Sequence, residues 1–380
     1  MLAINPTILS RTAARNPSHY RRRWAFSILA CVLSCGWAVA PAEALQTTQA
    51  VPPIAVGDFD SSVLESVPEP QVGSADGAAQ AGNSPQPFDG NKAWKHMQAI
   101  CNIGPRISTS QGMRQQQEYI EKHFEANGGE VLNQEFLVAS PFNGNQVALH
   151  NLLIRYNTDR KRRLLICCHH DTRPFPDQDK RNPRGQFIGA NDGGSGVALL
   201  CELGRHLGDM EGPWGVDLIF FDGEEFVVTP QHPMFLGSTY FAQQYAAGQI
   251  PWKYEYAVLV DMVADKDLQI YYEKNSLAPG PDRLTRSIWG TAQRLGVKEF
   301  VPKARHVIKD DHLPLNNIAR IPTCDIIDFD YPNPRAGNSY WHTTKDNISN
   351  CSKDSLNKVG AVVLAWIWEM QAMHVQPEKQ

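Results

Sequence analysis

The chain has 380 residues, enough for one large domain or two ordinary ones. A hydrophobic fraction of 42% and a charged fraction of 20% exclude wholesale disorder and leave material for a sizeable core. The formal net charge of -4 gives no electrostatic basis for binding nucleic acid or an acidic surface, and leaves small peptides open as partners.

At the amino terminus, Arg21, Arg22 and Arg23 precede the apolar run from Trp24 to Ala40, with small residues at Ala38, Ala40, Ala42 and Ala44. A positive region, an apolar run and Ala-x-Ala spacing predict an export signal over residues 1–44, the alternative being an uncleaved anchor. The protein is therefore expected outside the cytoplasm, whether periplasmic, secreted or envelope-anchored, and at a membrane only through that anchor. Residues 45–87 are rich in Ala, Gly, Pro, Ser and Val and show no sustained period, which predicts a flexible linker. Folded sequence begins near Phe88, where Trp94, Met97, Ile100 and Ile103 recur at helical spacing. With no repeat and no second composition break, residues 88–375 read as a single catalytic domain.

Apolar strand-like runs then alternate with helical patterns. Leu164 to Cys168, Val216 to Phe221, Tyr256 to Val260 and Thr323 to Ile327 read as strands. Between and after them come helix-like stretches from Ser195 to Leu207, Arg283 to Leu295 and Ser355 to Met373, and an apolar run from Thr239 to Tyr245. The pattern predicts an α/β fold of three layers, α/β/α, around a central mixed, mostly parallel sheet covered on both faces. Cys101, Cys167, Cys168, Cys201, Cys324 and Cys351 match no zinc-ribbon spacing, and those in strand-like runs are expected as buried thiols.

Polar residues cluster where strands end. Cys168-His169-His170-Asp171 closes the first strand, Asp222-Gly223-Glu224-Glu225 the second and Asp261 the third. Gly189-Ala190-Asn191-Asp192-Gly193-Gly194-Ser195-Gly196 and Tyr340-Trp341-His342-Thr343 complete the set. Chemistry gathers at the carboxyl ends of strands in open α/β sheets. Any one such residue is more often a loop residue or a hydrogen-bonded structural group than a ligand. Two histidines and three carboxylates together supply the nitrogen and oxygen donors zinc prefers in an open catalytic site. The adjacent Glu224 and Glu225 repel unless one is neutralised, so one glutamate is expected on metal while its neighbour handles protons. Ser195 lacks the flanking pattern of a nucleophile elbow and reads as a turn residue. His306 and His312 are expected to sit at the surface or to hydrogen-bond rather than to ligate.

In this order the motifs resemble the zinc-dependent aminopeptidase clan, peptidase family M28-like, and in particular its glutaminyl cyclase branch. The segments that carry the resemblance are Ala93 to Met97, Cys101 to Arg106, Phe220 to Glu225, Ile308 to Pro314 and Trp341 to Thr343. It implies a zinc-exopeptidase fold with Asp192, Glu225 and His342 on the metal and Glu224 as the acid/base. Asp261 and Asp310 would share a proton network with Glu224, and Trp341 would wall the substrate pocket. His169 and Asp261 match positions that hold a second zinc in the two-metal aminopeptidases and hydrogen-bond in the cyclases. Departures from the animal cyclase pattern are Gly193 to Gly196, Asp325 in place of an active-site histidine at the pocket, Pro230 near the position of a pocket tryptophan, and the lack of a partner for Cys168.

Two activities on peptide or protein amino termini follow. A glutaminyl-peptide cyclotransferase, an acyltransferase, would convert N-terminal glutamine to pyroglutamate with release of ammonia and one zinc ion. A metallo-aminopeptidase would hydrolyse the first peptide bond with one or two. A non-catalytic relative would have lost Glu224 or a ligand, and none is lost.

Overall fold

The structure is a computed structural model that describes residues 86–332 and 339–372. The expected export signal, and the linker up to residue 85, lie outside the described residues. Helix α1 (Gly90–Ile103) starts at Asp89, whose carboxylate accepts from the N–H groups of Asn91 and Lys92, and it buries Ala93, Met97 and Ile100. Helix α2 (Gln111–Ala126) starts at Ser110, whose hydroxyl accepts from Met113 N–H at 3.1 Å. The antiparallel pair β1 (Glu130–Ala139) and β2 (Gln146–Tyr156) follows. Then come β3 (Arg162–His169), α3 (Gly194–Gly204), β4 (Gly215–Phe221), α4 (Leu236–Ala246) and β5 (Lys253–Asp261). The chain continues through β6 (Ile270–Tyr272), α5 (Asp282–Arg294), β7 (Phe300–Ala304), the single turn α6 (His312–Pro314), β8 (Thr323–Ile327) and α7 (Lys353–Ala372). Among the described residues no helix is long and apolar enough to cross a membrane.

The main sheet has the order β1-β2-β4-β3-β5-β8. Strands β4, β3, β5 and β8 run parallel, and β2 joins β4 antiparallel, so the sheet is mixed with a parallel half. Strands β6 and β7 form a small parallel pair of their own. Side chains alternate across the main sheet as the two-residue period requires. Leu164, Ile166, Cys168, Leu218, Phe220, Val258 and Val260 share one core cluster with residues of α1, α3, α5 and α7. Leu165, Cys167, Ile219, Phe221, Ala257 and Leu259 share the other with Phe241 and Ala242 of α4 and with Leu315. Two helical layers thus cover one sheet. The six cysteines among the described residues carry free thiols, buried except for half-buried Cys101.

At the amino end of the parallel strands, Arg163 and Asp217 are both fully buried and paired. Arg163 Nε donates to Asp217 Oδ2 at 2.8 Å, and its other nitrogens donate to Asp217 Oδ1 and to the carbonyls of Tyr156, Asn157 and Arg160. Tyr254 Oη donates to the same carboxylate at 2.7 Å. The opposite ends of β3, β4 and β5 carry the polar motifs.

Candidate active site

His169 is the last residue of β3 and pairs in register with Phe221 at the end of β4, while Asp261 is the last residue of β5. Parallel strands in register put their final residues side by side. His169 Nε2 lies 3.2 Å from Asp261 Oδ1 and 3.2 Å from Asp192 Oδ1. Asp192 reaches this point from the turn before α3. At Gly193, φ is 79°, and a Cβ would stand 2.8 Å from the Asp171 carbonyl oxygen and 3.0 Å from the His169 ring. That turn needs glycine for its backbone and for its close approach. Another turn, with Gly223 at φ 78°, delivers Glu224 and Glu225 from the end of β4.

Asp192, Glu225 and His342 converge as a buried group. His342 Nε2 is 2.7 Å from Glu225 Oε1 and 3.5 Å from Asp192 Oδ2, and that Asp192 oxygen has no hydrogen-bond partner. Donors held about 2.0–2.2 Å from a tetrahedral zinc ion lie roughly 3.3–3.6 Å apart, so one nitrogen and two carboxylates at these separations fit zinc after small side-chain adjustments. His342 itself sits at φ 53°, a left-handed conformation uncommon for a residue with a Cβ and frequent at functional sites. His169, Asp192 and Asp261 form a second donor group that shares Asp192 with the first.

Backbone clamps hold these loops. Asp171 accepts from the N–H groups of Glu224 and Glu225 at 3.1 and 2.9 Å, and Asp346 accepts from those of Asn191 and Asp192 at 2.8 and 3.1 Å. Ser195, in the first turn of α3, donates to the Asn191 carbonyl and accepts from Val263 N–H, while Asn191 Oδ1 accepts from Ala264 N–H. The Asp192 turn and the segment after Asp261 are thereby tied together. Sequence reasoning missed Asp346, and also Arg173 and Asp177. Arg173 Nη1 donates to Glu225 Oε1 at 2.8 Å and its Nε pairs with Asp177, which lies 3.3 Å from His342 Nδ1. A carboxylate behind a ligating imidazole fixes its ring and its tautomer. No motif announces these residues, because their partners are backbone groups or side chains brought close only by the fold.

The two glutamates have opposite electrostatics. Burial, then repulsion by Glu225, pushes the Glu224 carboxyl well above the ordinary carboxylate range. Burial works in the same direction on Glu225, but His342 and Arg173 outweigh it and hold Glu225 below its usual value. Asp192 is raised to about 6 by burial and by Glu225. Burial, Asp261 and Asp311 raise Asp310 well above normal. One glutamate is thus a fixed anion suited to a cation and the other a carboxyl suited to proton exchange.

Glu224 Oε2 is 4.0 Å from His169 Nδ1. Trp341 is half-buried, stacks on His342 at a centroid distance of 3.7 Å and packs on Phe329 at 5.3 Å. Asp325 is fully buried in β8 and faces His312, while His306 bonds Asp330.

Residues 151–367 match the model of peptidase family M28. A crystal structure of Fimbriiglobus ruber glutaminyl cyclase superposes with a TM-score of 0.70 at 37% identity, covering 77% of this chain and 99% of that one. A Zn-dependent exopeptidase from Parabacteroides distasonis gives 0.68 at 29% identity, covering 75% of this chain and 99% of the other. The glutaminyl-peptide cyclotransferase of Bos taurus is 24% identical over 248 residues, which span 58% of this chain and 65% of the bovine one.

Proposed function

The chain belongs to peptidase family M28, and from that premise and the site geometry we propose that it is a zinc-dependent glutaminyl-peptide cyclotransferase. The observation that carries this choice is its likeness, over almost the full length of the relative, to a bacterial glutaminyl cyclase. Asp192, Glu225 and His342 would hold one zinc ion, which when bound polarises the γ-carbonyl of an N-terminal glutamine. Glu224 takes a proton from the substrate's α-amine as that nitrogen bonds to the carbon of that side-chain carbonyl, closing a five-membered lactam. It returns the proton to the side-chain amide nitrogen as the old C–N bond breaks, so pyroglutamyl peptide and ammonia leave and no water is consumed. Its raised carboxyl suits both halves of that exchange. The tethered nucleophile benefits from proximity. Trp341 supplies an apolar wall beside His342, and Asp261 and Asp310 accompany Glu224 as its proton network.

Substrates on this reading are the amino termini of peptides or proteins. The enzyme works outside the cytoplasm, as a single catalytic domain over residues 88–375 behind a signal and a linker. A second reading, aminopeptidase, is favoured by one observation: His169 stands 3.2 Å from both Asp192 and Asp261, a ready second donor group. Incubating the purified protein with a glutamine-initiated peptide separates the two. Ammonia and a product lighter by one ammonia are expected. Release of a free amino acid with a shortened peptide would make the aminopeptidase the correct assignment.

A further inference from the structure

Met262, Ile308, Ile327 and Tyr331 form a small buried cluster apart from the two that cover the sheet, and Phe329 and Trp341 pack against it half-buried. A row of rings leads outward from His342 beside this cluster. Trp341 stacks on His342 at a centroid distance of 3.7 Å, Phe329 follows at 5.3 Å from Trp341, His306 at 5.5 Å from Phe329 and Tyr271 at 6.4 Å from His306. Arg305 ends the row with its guanidinium 4.7 Å from the Tyr271 ring centroid. Side-chain exposure rises along the way, from 3% at His342 to 27% at His306 and 38% at Arg305.

The row is assembled from three segments and fastened where they meet. Tyr271 lies in β6, His306 follows β7, and Phe329 and Trp341 lie beyond β8. Asp330, next to Phe329 and itself buried, lies 3.1 Å from His306 Nε2 and 2.9 Å from Arg305 Nη1. Arg305 N–H donates to the Tyr272 carbonyl at 3.1 Å, and Lys274 N–H to the His306 carbonyl at 2.9 Å. Side chains held this way lose little freedom when they meet a ligand.

We propose that Phe329, His306 and Tyr271 form a subsite for the third and fifth residues of the substrate peptide and select aromatic or large apolar side chains there. The inference rests on the cyclase reading, in which Trp341 walls the pocket of the first side chain. The register follows from strand geometry. In an extended peptide, successive side chains point to opposite sides and those two apart share a side, about 6.6 Å on. With the first side chain against Trp341, the third falls one such step along the row, at Phe329 and His306, and the fifth reaches Tyr271. The second and fourth point away from it. Neighbouring rings of the row are tilted or edge-on to one another, with interplanar angles of 60°, 63° and 86°. An incoming ring therefore meets both faces and edges, which suits the offset and T-shaped geometries that aromatic pairs prefer.

The test compares a peptide of glutamine followed by four alanines with versions carrying phenylalanine at the second, third or fifth position. In wild type, kcat/KM should rise about tenfold for the third position, about threefold for the fifth, and about twofold or less for the second. Phe329→Ala should cut the gain at the third position to about twofold or less, whereas Tyr271→Ala should cut the gain at the fifth and spare that at the third. Calorimetric binding of the same peptides to zinc-loaded Glu224→Gln should give the same order without turnover. Equal values for all four peptides, a gain largest at the second position, or a full gain in Phe329→Ala would each overturn the proposal. Equal values together with a wild-type dimer that dissociates in Phe329→Ala would give the row to a second copy of the chain instead. If the variants do not fold, the position dependence in wild type decides alone. A wild type that releases no ammonia refutes the cyclase reading, and the calorimetric order still judges the row.

Discussion

The two ends of the parallel strands carry buried charge in contrasting ways. At the amino end, Arg163 meets Asp217 and three carbonyls, and Tyr254 completes the carboxylate's partners. At the carboxyl end, Asp192, Glu224, Glu225, Asp261 and Asp310 face His169, His342 and Arg173, and atoms of Asp192, His169 and His342 have no partner. Every nitrogen of Arg163 finds an acceptor within the chain, whereas Asp192 Oδ2 stands 3.5 Å from His342 Nε2 with no partner, where a cation would meet it. A buried ion pair with every donor used is architecture, whereas a surplus of carboxylates with idle lone pairs marks chemistry.

Three measurements test that contrast and a fourth lies outside it, and the largest effect is expected at the carboxyl end. Glu224→Gln should lower kcat about 10²- to 10⁴-fold while zinc content and thermal unfolding stay as in wild type. A variant that loses its fold instead would erase the distinction between the two ends. At the amino end, Arg163→Met leaves buried Asp217 with only Tyr254 and, at 3.7 Å, Arg155 as partners, and should cost about 3 kcal/mol in denaturant unfolding with unchanged turnover per folded molecule. Turnover falling with stability intact would reverse the assignment. Chelation should abolish activity and lower stability by about 2.7–4.1 kcal/mol relative to protein in 100- to 1,000-fold excess of zinc over Kd, with recovery on adding zinc back. Equal unfolding temperatures with and without chelator would show that the carboxyl end needs no cation. The smallest effect lies at neither end. Burial, helped by His123 and Arg205, pushes His96 down to about 4. Its folded value is below its unfolded value of about 6.5, so the unfolded chain binds the extra proton. This contribution is complete above pH 6.5 and is lost as pH falls toward 4, by about 1 kcal/mol for a half-buried ring. His96→Asn should flatten stability across that window, and an unchanged slope would remove His96 as its cause.

The contrast also explains what the sequence reveals. Strands β3, β4, β5 and β8 are legible as apolar runs because both their faces are buried. The β1–β2 pair escapes notice because β1 is an edge strand, half-exposed along both faces, with no clean alternation. Helix α2 is similarly hidden, since its buried stripe of Met113, Gln116, Ile120 and Phe124 includes a glutamine. In the site, Asp192, Glu224, Glu225 and Asp261 stand out because they follow legible strands or lie among glycines. Asp346 does not, because it grips N–H groups more than 150 positions away.

The donors that meet around Asp192 run from His169 in β3 to His342, beyond the last strand of the sheet. Synthesis therefore delivers the acidic members long before the final imidazole. A nascent chain that has reached β8 already carries Asp192, Glu225 and Asp261 but not yet His342 or the Asp346 clamp. Because domains fold as units, the completed centre belongs to the finished chain, and a truncated product ending before His342 has neither the full donor set nor the clamp that shapes it.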